Sequence, residues 1–138
     1  MMDLVWSDIF KLLLTAFLAI LIGYDREKRN KAAGVRTNLI VAVISCLLMI
    51  ISIKIAGSDL GLANDADPAR LAAQVISGIG FLGAGTIIKQ EDKIEGLTTA
   101  ASLWGVAGIG LAVGYGLYGL AITAVVIIFG ALLVGWKE

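Results

Sequence analysis

A chain of 138 residues is long enough for one ordinary domain, yet 59% of it is hydrophobic, 16% is charged and its formal net charge is zero. A water-soluble fold of this size needs more polar surface, so the surplus apolar residues must face lipid; a soluble enzyme and a nucleic-acid binder are both excluded. With no histidine, imidazole-based catalysis, metal ligation and pH switching are excluded as well.

Near the N-terminus, Asp3 and Asp8 accompany a single Lys11, and the main basic cluster follows the first apolar run instead of preceding it. That is a poor signal peptide, and the segment is expected to stay attached. Crossing a hydrocarbon core of ~30 Å takes ~20 helical residues. The first apolar stretch covers residues 9–24, with Lys11 able to snorkel from its end. The second covers 39–57, with Lys54 near its end, and holds the lone Cys46, read as a small packing residue. The third covers 68–89 and is uncharged from 71 to 88. Beyond Glu95 no charge appears until Lys137; as one helix that stretch would be about 60 Å long, twice the membrane. It must fold back, and the glycine-rich residues 114–119 are the natural turn, leaving spans at 97–113 and 117–136. These runs are continuously apolar rather than alternating, which rules out a barrel. The expectation is an all-α polytopic membrane bundle of about five helices, one domain over residues 1–138.

Lys and Arg near span ends set orientation. The first connection holds Arg26, Lys28, Arg29, Lys31 and Arg36; the third holds Lys89 and Lys93. That side is expected in the cytoplasm, with the N-terminus outside and the C-terminus inside. Glu27 and Lys31 are spaced to extend the first helix beyond the membrane, and Gly34 suits the bend before the second span. The cluster fixes topology; binding of anionic head groups is its functional alternative.

The third span is the most unusual. Asp67-Pro68 is a good helix start, because the carboxylate can cap free amides and proline is tolerated in the first turn. Asp67, Arg70, Gln74 and Ser77 then share one helix face. A polar row entering a membrane usually faces a bundle interior or a wet cavity; the plain alternative is that Asp67 and Arg70 pair at the interface. Ala73, Ser77, Gly80 and Ala84 form an adjoining small-residue row, matched in the fourth span by Thr98, Ala101, Gly105, Gly108 and Ala112. Such rows let membrane helices approach closely, or admit an ion or substrate to bare carbonyls. Residues 78–83 spell G-x-G-x-x-G, but mid-way along an apolar helix, without the strand the dinucleotide fingerprint requires.

Four blocks carry a resemblance: Asp25-Arg26-Glu27, Lys31 through Thr37, Asp67 through Gln74 leading into Ser77 through Gly85, and Gly96 through Trp104. In order and spacing they resemble the MgtC/SapB family of bacterial inner-membrane proteins, over roughly residues 20–115. The resemblance implies a multi-pass inner-membrane domain, adaptation to low magnesium and, in pathogens, survival inside phagocytes. It further implies regulation of other membrane proteins, including ATP synthase, rather than magnesium transport. Many members carry a soluble domain after the last helix; the sequence ends at Trp136-Lys137-Glu138, so the expectation is a transmembrane domain alone.

The functional expectation is therefore a non-enzymatic regulator working by helix–helix contact with itself, a dimer being favoured, or with another membrane protein. No cofactor is expected. The alternative is a small ion transporter or channel lined by Asp67, Arg70 and Gln74, with Asp67, near Asp59 and Asp65, as a weak oxygen ligand for a divalent cation.

Overall fold

The computed structural model describes residues 2–57 and 66–134. It contains five α-helices: α1 (Met2–Lys28), α2 (Val35–Ala56), α3 (Ala69–Gly85), α4 (Leu97–Tyr115) and α5 (Tyr118–Leu133). Three of them, α1, α2 and α4, are long and apolar enough to cross a membrane, while α3 and α5 are shorter apolar helices. The all-helical membrane bundle is the fold.

Helix α4 lies at the centre and packs against all four others. Its buried residues run from Thr99 and Leu103 through Val106 and Ala107 to Val113. By contrast α3 buries only Ile79 and Gly83, and α5 only Ala121 and Val125. The closest helix approach is between α2 and α4. A Cβ at Gly110 would strike the Ala42 carbonyl, and one at Gly114 would lie 2.7 Å from the Cys46 carbonyl oxygen. Any side chain at either position would push the helices apart.

Each end of the bundle is pinned by polar contacts. At one end the Lys54 ammonium pairs with Asp8 at 2.6 Å, joining the last turn of α2 to the first turns of α1. There too the Ser52 hydroxyl donates to the Pro68 carbonyl at 2.6 Å, joining α2 to the start of α3. The turn from α4 to α5 falls where the glycines place it. Gly116 adopts a left-handed φ of 102°, and the amide of Leu117 reaches back to the Ala112 carbonyl at 2.8 Å. This is the glycine-terminated helix stop that leaves few carbonyls orphaned.

The third apolar stretch behaves differently from its sequence pattern. The helix stops at Gly85, four residues short of Lys89, and there the Thr86 hydroxyl donates back to the Gly83 carbonyl at 2.8 Å. The chain then turns into a small antiparallel hairpin, β1 (Ile88–Gln90) against β2 (Lys93–Glu95), with Lys89 opposite Ile94. Ile88 therefore belongs to an exposed strand rather than to a span. The hairpin closes tightly: at Gly96, φ is +89°, and a Cβ there would strike the Thr86 carbonyl. The other helices depart less. Extra turns carry α1 past the apolar window at both ends, α2 begins four residues earlier than its apolar run, and α5 ends at Leu133; Trp136 lies outside the described residues.

Candidate functional site

The residues singled out from sequence separate into two groups at opposite places in the fold. The first is the basic connection between α1 and α2, which forms a clasp. Arg26 is 4% exposed, and its Nη2 donates to the Thr99 hydroxyl in the first turn of α4 at 2.6 Å. One residue on, the Glu27 carboxylate accepts the Val35 amide at 2.9 Å, satisfying a free donor at the start of α2. Gly34 lies close against it: a Cβ there would come within 2.8 Å of the Glu27 carboxylate, which would have to shift. The buried Asn38 side chain donates to the carbonyls of Ala33 and Gly34 at 2.8 and 2.9 Å, and Arg29 pairs with Asp25 at 3.0 Å. By sequence, Arg26 and Glu27 belong to the basic connection, with Glu27 and Lys31 spaced to extend α1; the helix does extend, to Lys28, and Lys31 lies beyond it. Arg26 and Glu27 are helical, and they tie three helices together.

Lys31 borders a cleft of about 670 Å³ between this connection and the hairpin, with Thr86, Lys93, Glu95 and Thr99 on its walls. Arg36 and Thr37 are exposed in the first turn of α2. Thr37 lines a second, mainly apolar groove of about 410 Å³ with Phe81, Leu82, Gly85 and Leu103.

The second group is the row on α3. The Asp67 carboxylate caps the helix, accepting the Ala69 amide at 2.8 Å. It forms no ion pair with Arg70, so the simple pairing suggested by their three-residue spacing does not occur. Among the described residues no hydrogen bond or ion pair engages the side chains of Arg70, Gln74 or Ser77. All three are exposed, as are Ala73, Gly80 and Ala84. Asp67, Arg70 and Gln74 also line a cleft of about 610 Å³ shared with Ser52 and Ile55 of α2. Asp59 and Asp65, expected beside Asp67 as cation ligands, lie outside the described residues. Among the described residues no group of three acidic or thiol side chains comes together to hold a metal.

The two small-residue rows do not pack against each other within the chain. Helices α3 and α4 meet instead through Gly83, where a Cβ would touch that of Ala100 at 3.5 Å. Thr98 and Ala101 are exposed, Gly105 meets Ile128 of α5, and Gly108 has open space around it. The glycines that matter inside the bundle are Gly110 and Gly114. Their signal was present, since they too fall four residues apart on α4, but the sequence carries two overlapping small-residue faces.

The family model described as MgtC family matches residues 12–137. The chain belongs to the MgtC family. Similar proteins include one of Haemophilus influenzae with no assigned function, 50% identical over 86% of this chain and 51% of its own length. Protein SapB of Bacillus subtilis is 44% identical over 87% of this chain and 53% of its own. A protein of Escherichia coli K12 named as a candidate magnesium transporter, YhiD, is 44% identical over 83% of this chain and 54% of its own. The chain thus spans about half the length of the curated relatives it matches. No solved structure matches it. Within this MgtC-family chain, the clasp residues hold the bundle closed, whereas the α3 row faces outward with its polar groups unmet.

Proposed function

We propose that this protein is a non-enzymatic regulator in the bacterial inner membrane, acting on other membrane proteins in adaptation to low magnesium through contacts between helices in the bilayer. The observation that carries this reading is α3. It packs against both α2 and α4 but buries only Ile79 and Gly83, and it turns its small and polar row outward. Open space surrounds Gly80, so another helix could approach the backbone closely, which is the main source of helix association in lipid. The basic end of the bundle, with the clasp and the hairpin, lies in the cytoplasm on this reading. ATP synthase is the partner the sequence resemblance implies. Gly80→Leu fills the open space without touching the core. Partner proteins recovered by cross-linking in native membranes should be lost in this variant, and their undiminished recovery would refute the proposal.

A second reading, ion transport, is favoured by the cleft in which Asp67, Arg70 and Gln74 meet and by the name of the Escherichia coli relative. Asp67→Asn separates the roles of that residue, because asparagine keeps the helix cap while removing the charge. Magnesium flux into liposomes that disappears in this variant would establish transport; absence of flux under any gradient would remove it.

A further inference from the structure

The outward face of α3 has an unusual property: it is complementary to itself. One carboxylate oxygen of Asp67 is committed to the helix start. The other, and the guanidinium of Arg70 one turn on, are opposite charges on one exposed face and are not paired with each other. Deeper in, Gln74 offers both donors and an acceptor. Ser77 lies about 12 Å along a helix about 25 Å long, which, on the reading that α3 crosses the membrane, sets it near mid-bilayer. Polar groups at such depth are expected to meet a partner helix or a wet cavity. Below them Gly80 has nothing within 4 Å of where a Cβ would stand, Ala84 continues the exposed row, and the exposed Phe81 borders it.

Resting on the reading of α3 as the contact helix, we infer that the partner of this face is a second copy of the chain, related by a two-fold axis along the membrane normal. A two-fold interface sets residue i against j and j against i. Asp67 of each copy then meets Arg70 of the other, closing two ion pairs with charges the single chain leaves open. Gln74 meets its own counterpart, each amide donating one hydrogen bond to the other, and Gly80 and Ala84 let the backbones close beneath. A different membrane protein would have to bring an acid and a base in matching register; this chain carries both. Such a protein reaches the face only by displacing the second copy, so self-pairing sets how much of the face is free.

The test uses the full chain in native membranes, with Cys46→Ala as background. Gly80→Cys is compared with Val126→Cys on α5, which is 65% exposed but carries no polar row. Mild oxidation should give a disulfide-linked dimer at Gly80→Cys at least fivefold above Val126→Cys. Two further chains carry Gly80→Cys with Arg70→Asp or with Asp67→Arg. Each alone should lose the dimer, and their co-expression should restore a mixed dimer about tenfold above either. Equal cross-linking at Gly80→Cys and Val126→Cys overturns the inference, as does a mixed pair no better than its components. Absence of the dimer, with partner capture still lost in Gly80→Leu, means that α3 meets only another protein: the inference fails and the functional reading stands. A dimer with capture indifferent to Gly80→Leu has the reverse meaning.

Discussion

Arg26 and Thr99 are 73 residues apart in the chain, yet the Arg26 Nη2 lies 2.6 Å from the Thr99 hydroxyl. The bond joins the last turn of α1 to the first turn of α4. It brings the basic connection and the hairpin to the same end of the bundle, and both partners are buried, at 4% and 3% exposure. Thr99→Val keeps the side-chain shape and removes the acceptor. A buried donor left unmet costs about 1–3 kcal/mol. Unfolding in mixed micelles should show a loss of that size for Thr99→Val and little change for Thr99→Ser; equal stability of all three would show that the bond is not made.

Substitution at the α2–α4 crossing should be far more damaging than at the exposed glycines. Gly110→Ala places its methyl against the Ala42 carbonyl, and Gly114→Ala against the Cys46 carbonyl and Met49. Backbone cannot yield locally, so the helices must separate and the core between them loosens. Overpacking of this kind costs about 1–3 kcal/mol, occasionally more. Gly108→Ala, with open space around it, serves as the control and should leave thermal stability in detergent unchanged.

The Glu27 carboxylate does for α2 what an N-cap side chain does elsewhere, although it comes from the preceding helix. Glu27→Ala removes the acceptor of the Val35 amide, and loss of a cap costs about 1 kcal/mol. Hydrogen exchange should then quicken at Val35 and its neighbours while the centre of α2 stays protected. Uniform protection in both proteins would contradict this role.

Much of this architecture was legible in the residues because lipid imposes a simple demand. Continuous apolar runs become helices, and Gly116, within the expected glycine-rich turn 114–119, marks where a run too long for one span turns back, while Gly114 stays in α4. The end of α3 was not legible. Ile87 and Ile88 are apolar and extend the hydropathy of the span, whereas the chain leaves the helix to form the hairpin that closes at Gly96 against the Thr86 carbonyl, a pairing that hydropathy does not register. Nor was the choice between faces on α4. Gly105 and Gly108 have the same chemistry as Gly110 and Gly114, and only the position of α2 decides which pair is covered. Arg26 was hidden by its company: flanked by charges, it reads as solvated, and its burial follows from a contact with a residue far along the chain. On α3 the shared face of Arg70, Gln74 and Ser77 followed from spacing. That the face is turned away from the bundle did not.

Everything proposed for α3 requires that its polar row lie inside the bilayer, yet a helix of 17 residues spans only about 25 Å, somewhat less than the hydrocarbon core. The most direct measurement is thiol labelling in intact cells, in the Cys46→Ala background, with a membrane-impermeant maleimide. Ala69→Cys, at the start of α3, should label from outside the cell. Asp92→Cys, at the tip of the hairpin, should label only after the cells are opened. Labelling of both positions from the same side would mean that α3 does not cross, and the contact face would lose its place in the membrane.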